Sequence, residues 1–325
     1  MTRSLSMTIL RRVLMAVLIV FGMASAVFWI ARLLPGDPFA FRITPGMSPA
    51  TLETLRHTYG LDRPIAEQYF TWLRSALSGD LGVSLTTNRP VLDLIGETLP
   101  NTILLGTATL ILQFLFVITA AVASVRHPRG RLDRFIGGGT VVMYSVPNFW
   151  LGTLLLVVFA FHLNLFPASQ MHSVGFRRLS GLPATLDVLW HLTLPALTFA
   201  IPGGARVARF LRATLHDVLQ EPFILNATGY GLSRGRVLLR YALPNALTPV
   251  ISVAGIETGI LLTGTLVTET LFAWPGMGRL TVSAVLARDY PLLMGTTIVS
   301  GCIVIAANLA ADILHRVINP RLRTE

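Results

Sequence analysis

Long apolar stretches alternate with polar segments along the whole chain. A helix needs about 20 mostly apolar residues to cross the roughly 30 Å of hydrocarbon in a bilayer. Six stretches reach or approach that length, so the pattern predicts six transmembrane helices. These lie at residues 13–31, 99–125, 135–161, 192–211, 246–268 and 291–314. The expected fold class is therefore an all-α integral membrane protein.

The fourth stretch is the least regular, because Pro195, Pro202 and a Gly-Gly pair interrupt it and arginines occupy its end. If it did not cross, the arginines on both sides of it would share one face of the membrane, against their preference for cytoplasmic loops. With six crossings and both termini in the cytoplasm, more than half of the 26 arginines face the cytoplasm. The charge excess would then face anionic lipid.

The spans divide the chain into three regions. Residues 1–31 hold a cytoplasmic N-terminus and the first span, residues 32–98 form a large external segment, and residues 99–325 form a five-helix core. A cleavable signal peptide is the alternative for the first region, with small residues at 24–26 as its cleavage site. The apolar run continues past that site through Ile30, which favours a span.

The external segment contains patterns of short amphipathic helices. One is predicted after Ser48-Pro49, and a second after Pro64. In the second, four apolar side chains recur at helical spacing on one face. They are Ile65, Tyr69, Trp72 and Leu73. These helices either pack on the membrane rim or on their own segment, or they form a docking lip for an external partner.

The loop at residues 214–240 lies on the arginine-rich side. Its sequence pattern predicts a short surface helix followed by a tight turn. Pro222 is suited to the first turn of a helix, Gly231 to a left-handed helix end, and Ser233 to the cap of a further helix. Four residues of the first helix are expected on one apolar face, namely Phe223, Ile224, Ala227 and Tyr230. This face either docks into a groove of a soluble partner or lies flat on the membrane.

The amino-acid composition excludes several classes of soluble enzyme. The chain is 53% hydrophobic and 13% charged, whereas soluble domains carry roughly 25% charged residues. All 26 basic residues are arginine, so Schiff-base chemistry and a P-loop lysine are excluded. The single cysteine, Cys302, permits no internal disulfide. The pattern GxSxG at 231–235 lacks the preceding buried strand that a hydrolase needs. Because the arginines flank spans, nucleic-acid binding is not expected.

Eight stretches of sequence carry a family resemblance. ATGYGLSRGRVLLRYALPN at 227–245 resembles the cytoplasmic loop of ABC importer permeases. The others are LLPGDP at 33–38, YGLDRPI at 59–65, SGDLGVS at 78–84, RPV at 89–91, ETLFAWPGMGRL at 269–280, RDYP at 288–291 and NPRLR at 319–323. Together they resemble the B-type permease subunit of the dipeptide, oligopeptide and nickel ABC importer family, over essentially the whole chain.

This resemblance implies a transport subunit of a prokaryotic inner membrane, not an enzyme. It implies a second homologous permease, two ATP-binding subunits that hold ATP and Mg²⁺, an extracellular solute-binding protein and the surrounding lipid as partners. The chain itself is expected to bind no cofactor and no metal. A stand-alone secondary transporter or channel is the alternative from another class, and nickel chelates or glutathione are alternative cargoes to peptides.

The resemblance also implies roles for particular residues. Coupling to the ATPases is assigned to Glu221, Pro222, Phe223, Ala227, Gly231, Leu232, Ser233 and Asn245. Tyr241 departs from the family, which usually has histidine there. Candidates for a nickel site are histidines 162, 172 and 191 with Met171, which lie on or near one external loop, but their spacing matches no tight site.

Polar residues inside the spans are candidates for the translocation path or for helix association. Glu257 lies near the middle of the fifth span, where an ionised carboxylate costs at least about 2.5 to 3.5 kcal/mol. It is either a path-lining group that meets a peptide's amino terminus or a protonated glutamate that joins helices. Asn148 and Asn308 are the other path candidates. An external gate turn is expected from Glu269, Pro275, Gly276, Gly278 and Arg279.

Overall fold

The computed structural model describes residues 2–33, 53–54, 57, 60, 62–126, 130–176, 179–248, 250 and 266–318. In this part of the chain the fold is all-α, as predicted, and the extended pairing consists of one bridge between Val83 and Pro90. The helices are α1 (Thr2–Leu33), α2 (Ile65–Leu77), α3 (Val91–Arg126), α4 (Arg131–Ser145), α5 (Asn148–Leu155), α6 (Leu182–Val218), α7 (Pro222–Gly229), α8 (Arg234–Val237), α9 (Met277–Leu286) and α10 (Tyr290–Ile318). Helices α5 and α8 continue as π-helical turns, Leu156–His162 and Leu238–Ala242.

Three of these helices, α3, α6 and α10, are long and apolar enough to cross a membrane. A fourth span results if α4 and α5 together count as one broken crossing. The apolar part of α1 that qualifies as a shorter helix is Leu14–Ile30. Most of the predicted fifth span, residues 251–265, lies outside the described residues. The count of six spans and the cytoplasmic placement of both termini therefore stay predictions.

The third predicted span is not the single helix expected over residues 135–161. Helices α4 and α5 are bent by 106° at the break between them. Val146 adopts an extended conformation, with ψ 126, directly before Pro147. A residue before proline is disfavoured in the helical region, because the proline ring clashes with its backbone. Proline at 147 therefore ends α4 and allows α5 to begin in a new direction.

The fourth predicted span is one continuous helix, α6, in spite of its two internal prolines. Each proline removes one backbone donor but is tolerated where neighbouring groups cover the helix. Both prolines are buried, and Gly204 lies against α3, since a Cβ there would stand 2.8 Å from Phe116 Cδ1. Small residues at such positions permit close helix packing inside a membrane. The Gly-Gly pair that makes the sequence irregular therefore serves helix association.

The chain divides into two compact units. The first comprises Met1–Asn101 and Gly276–Ile303, and the second comprises Thr102–Pro275 and Val304–Glu325. In the first unit, one apolar cluster joins the starts of α3 and α10 to α9. Its buried members are Leu81, Val91, Leu94, Ile95, Met277, Ala284 and Leu292. A second cluster places Phe28 of α1 against Tyr69 and Trp72 of α2, with ring centroids 5.2 and 5.5 Å apart.

The second unit has its largest apolar cluster where α3, α6, α7 and α8 meet. The buried residues from α3 and α6 include Val117, Ala121, Val207, Leu211 and Leu215. Those contributed after α6 include Ile224, Ala227, Val237, Leu238 and Ala242. The short helices of the 214–240 loop are thus part of the core of this unit, and do not lie loosely on its surface.

Close packing at Gly295 generates a prediction about stability. A Cβ at this position would stand 2.5 Å from Cγ1 of Val91, which is fully buried. Gly295→Ala should lower the free energy of unfolding by about 1 to 3 kcal/mol through overpacking. In a Val91→Ala background the same change should cost much less, because the clashing methyl group is gone. The measurement is the apparent melting temperature of the purified protein in detergent.

Gly96→Ala provides the matched control. Gly96 is an exposed residue within α3, and no atom lies within 4 Å of its would-be Cβ. This substitution should leave stability unchanged or raise it slightly, because alanine favours helix. An equal loss of stability for Gly295→Ala in both Val91 backgrounds would contradict the packing argument.

Candidate functional site

Helix α7 has one anchored face and one free face. Pro222 occupies its first turn after Glu221, as predicted, and the side chains of Ile224 and Ala227 are buried in the large cluster of the second unit. Phe223, Leu225 and Tyr230 are exposed, Tyr230 to 88%. The single apolar face expected from the sequence is therefore wrong in part. Phe223 and Tyr230 point away from the core that holds Ile224 and Ala227.

The end of α7 is a Schellman motif. Gly231 has φ +79, its N–H donates to the Thr228 carbonyl at 3.0 Å, and the Leu232 N–H donates to the Ala227 carbonyl at 3.4 Å. Leu232 also packs against the large apolar cluster. Glycine is favoured at this position because a side chain in the left-handed region costs about 1 to 2 kcal/mol. The predicted left-handed helix end at Gly231 is confirmed.

The residues after Gly231 follow the sequence prediction less closely. Ser233 occupies the N-cap position of α8, but its side chain makes no capping hydrogen bond. Helix α8 has only four residues before the π-helical turn begins, and Val237 and Leu238 bury this segment in the cluster. Asn245 donates from Nδ2 to the Tyr241 carbonyl at 2.7 Å, and its side chain is exposed.

The outer surface of this loop combines apolar and cationic side chains. Besides the exposed residues of α7, Leu239 and Tyr241 are 48% and 38% exposed, and the arginines at 234, 236 and 240 are exposed. Apolar side chains presented by a helix with a fixed opposite face are suited to a groove in another protein. The backbone needs no rearrangement to present them. This loop is the candidate functional site.

Motifs from distant parts of the sequence meet in the first unit. SGDLGVS and RPV form the two sides of one turn, in which the Val91 N–H donates to the Gly82 carbonyl at 3.0 Å and the Ser84 N–H to the Arg89 carbonyl at 2.9 Å. Gly82 has φ +81, a conformation that glycine adopts without strain.

Asp289, from the RDYP stretch, holds this turn. Its Oδ2 accepts hydrogen bonds from Ser84 Oγ at 2.6 Å, from the Thr86 N–H at 3.0 Å and from Thr86 Oγ1 at 2.8 Å. Its Oδ1 accepts from the Leu292 N–H at 3.2 Å and so caps α10. Asp289 is fully buried. Sequence reasoning missed this residue, although aspartate before Tyr-Pro at a helix start is a recognisable capping pattern.

The structure describes two of the three candidate path residues. Asn148 and Asn308 are both exposed, and Glu257 lies outside the described residues. Of the gate candidates, Glu269 and Pro275 belong to the second unit, whereas Gly276, Gly278 and Arg279 belong to the first. Glu269 is fully buried and accepts a hydrogen bond from Thr102 Oγ1 at 2.8 Å, which joins α3 to the segment before the turn.

The histidines of the 162–191 region form no metal-binding group with other potential ligands among the described residues. His172 stacks on Phe176 with ring centroids 3.7 Å apart. Burial disfavours the charged imidazolium and lowers the pKa of His172. Nδ1 of His191 lies 2.8 Å from the Asp187 carbonyl, and Asp187 also accepts a hydrogen bond from the Ser173 N–H at 3.0 Å. Asp187 therefore organises this loop.

Comparison with known proteins identifies related sequences over the whole chain. Residues 115–324 match the family described as binding-protein-dependent transport system inner membrane component, and residues 5–106 match the N-terminal part of the same component. The oligopeptide transport system permease protein AppB of Bacillus subtilis is 36% identical over 97% of this chain and 98% of its own length. The dipeptide transport system permease protein DppB of Escherichia coli is 32% identical with the same coverage.

Among solved structures, a chain of the MetNI methionine ABC transporter in an inward-facing conformation resembles this fold. The TM-score is 0.56 at 14% sequence identity, and the likeness covers 70% of this chain and 97% of that chain. At this identity the likeness shows a shared fold and nothing finer.

The buried carboxylate of Asp289 generates a prediction about the 82–91 turn. Asp289→Ala should leave the Thr86 N–H without its carboxylate acceptor and should cost about 1 to 3 kcal/mol at Ser84, whose buried hydroxyl loses its hydrogen bond to Asp289. Amide hydrogen exchange at Thr86 should then become faster, and the apparent melting temperature should fall. Asp289→Asn should have a smaller effect because it keeps one acceptor oxygen.

Asp93→Ala serves as the control, since Asp93 is an exposed aspartate in the first turn of α3. Its loss should leave the exchange rate at Thr86 unchanged. Parental protection of Thr86 in the Asp289→Ala variant would refute the anchoring role.

Proposed function

Because the chain belongs to the family of inner membrane components of binding-protein-dependent transport systems, we propose that it is a permease subunit of an ATP-driven importer of peptides. The chain is a multi-pass protein of the bacterial inner membrane, and it is a transport component and not a catalytic one. Peptide cargo is supported by relatives named for oligopeptide and dipeptide transport, at 32 to 36% identity over nearly their full length.

The proposed complex contains a second, homologous permease that lines the path together with this chain. Two ATP-binding subunits bind beneath them, with ATP and Mg²⁺, and an extracellular solute-binding protein delivers the cargo. The absence of lysine supports this division of labour, since a P-loop requires one. Glu257, Asn148 and Asn308 remain proposed path residues, and the 269–279 turn remains a proposed gate.

The observation that carries the coupling assignment is the two-sided helix α7. Its buried side is continuous with the core, and its exposed side offers Phe223, Leu225 and Tyr230. In the proposed complex, the exposed side of α7 binds in a groove of an ATP-binding subunit. Because the opposite side of α7 is packed in the core, a movement of this helix would also move the core. We assign Glu221, Pro222, Phe223, Ala227, Gly231, Leu232, Ser233 and Asn245 to this coupling loop, on the cytoplasmic side.

The composition of the complex is tested by purifying the chain from its native membrane in mild detergent. Mass spectrometry should identify a second permease and P-loop ATPases in the eluate, and peptides should stimulate its ATPase activity when the binding protein is present. A chain that elutes alone, without ATPase activity, would favour a stand-alone transporter. If nickel chelates or glutathione stimulated the ATPase activity and peptides did not, the proposed cargo would be wrong, whereas the proposed ATP-driven importer would stand.

The conformation of Gly231 generates a prediction about coupling. Gly231→Ala and Gly231→Val place a side chain at φ +79, which costs about 1 to 2 kcal/mol and should lower the population of the native loop conformation by about five- to thirty-fold. In the reconstituted complex, peptide-stimulated ATPase activity should fall, whereas membrane insertion should be normal. Gly231→Asn should keep more activity, because asparagine tolerates the left-handed region.

Gly235→Ala is the matched control, four residues away. Gly235 lies within the short helix α8, and its would-be Cβ meets no atom within 4 Å. The same substitution there should leave stimulation intact. Normal stimulation in the Gly231→Val complex would remove the coupling role from this turn.

A further inference from the structure

Three helices of the second unit meet at one carboxylate. Asp133 lies in the first turn of α4, Ser124 near the end of α3, and Arg212 near the end of α6. Arg212 donates from Nε to Asp133 Oδ1 at 2.9 Å and from Nη2 to Oδ2 at 3.0 Å. The Ser124 hydroxyl also donates to Oδ1. Arg212 thus binds both carboxylate oxygens from α6, and Ser124 binds Oδ1 from α3.

This arrangement is more directional than the apolar packing around it. Asp133 is only 6% exposed and Ser124 only 1%, so their polar atoms are largely withdrawn from water. A planar guanidinium that binds both oxygens of a carboxylate restricts the mutual rotation and register of the two helices. Apolar contacts, in contrast, have no such directional requirement. The pair therefore joins α4 to α6 as one body at this level.

The pair borders the apolar cluster that holds the coupling loop. Arg212 lies between Leu211 and Leu215 on α6, and both leucines are fully buried against a cluster that includes Ile224 and Ala227 of α7. On the other side, Ile136 of α4 packs against the same cluster. A displacement of α7 therefore acts on the helix segments that carry the ion pair. Tightly packed cores transmit such shifts because they deform little.

From Asp133, helix α4 runs to the 106° bend at Pro147. We propose that Asp133 and Arg212 are positioning residues that relay movement of the coupling loop to the bent α4–α5 pair, so that ATP hydrolysis and peptide movement stay linked. Ser124 holds the carboxylate in place from α3. This inference rests on the proposed function, because it concerns how the same loop acts on the rest of the subunit.

The test uses the complete transporter reconstituted in proteoliposomes, with the ratio of ATP hydrolysed per peptide imported as the readout. Asp133→Asn and Arg212→Gln should each raise this ratio by about five-fold or more, the lower range of coupling between linked sites. Assembly of the complex and its basal ATPase rate should remain close to parental. Arg212→Lys keeps the charge but loses the two-pronged geometry, so its ratio should lie between those of the parent and Arg212→Gln.

A double-mutant cycle separates a relay from two independent effects. If the two residues act as one link, the Asp133→Asn/Arg212→Gln complex should have a ratio no higher than that of the worse single variant, whereas independent effects would multiply. Arg209→Gln is the control on the same helix. Arg209 is exposed, and it makes no hydrogen bond or ion pair with the described part of the chain. Its ratio should equal the parental one.

The outcomes distinguish this inference from the proposed function. If the parental complex shows no peptide-stimulated hydrolysis, the proposed function fails. If the parent is coupled and Asp133→Asn keeps the parental ratio in an assembled complex, the relay alone is overturned. A fall in assembly or melting temperature with an unchanged ratio would reduce the pair to a structural role and would also overturn the inference. Multiplying effects in the double variant would do the same.

Discussion

Helices that cross hydrocarbon must find partners inside the protein for every polar side chain that they carry, because water is absent there. Three buried carboxylates, Asp133, Glu269 and Asp289, satisfy this constraint at the places where segments of the chain meet. Glu269 accepts a hydrogen bond from the hydroxyl of Thr102, and Asp133 accepts hydrogen bonds from Ser124 and Arg212. Asp289 accepts hydrogen bonds from Ser84 and Thr86. In each case one carboxylate joins two or more elements that are distant in sequence. The polar residues of an apolar chain thereby specify which helices are neighbours.

The same constraint gives the coupling loop its form. A loop of polar residues alone would have no firm hold on the apolar core. Instead, Ile224 and Ala227 extend the core into α7, and the Schellman motif at Gly231 closes the helix so that Leu232 returns to the same cluster. The side chains of Phe223 and Leu225 on α7 thereby remain exposed. Firm anchorage and an exposed apolar face are properties of opposite sides of one eight-residue helix.

The family stretches gain a physical explanation from the fold of the first unit. SGDLGVS and RPV are close together in the chain, whereas RDYP lies about 200 residues after them. They meet because Asp289 binds the turn that the other two form. Separate motifs are thus parts of one structure, which joins the start of α10 to the segment before α3.

Much of this protein follows from the linear pattern of residues. Some features depend only on neighbours a few residues away, and these can be predicted from the sequence. The length of the apolar runs predicts the all-α membrane class, the proline at a helix start predicts helix α7, and the glycine at 231 predicts its left-handed end. The break at Pro147 is local too, but its 106° angle depends on what packs around it. Ile224 and Phe223 are adjacent and similarly apolar, and the packing of α7 against the residues of α3, α6 and α8 in the large cluster decides which of the two is buried. Likewise, nothing near Asp133 in sequence indicates Arg212, 79 residues away, because a carboxylate's partner is chosen by the approach of helices and not by spacing along the chain.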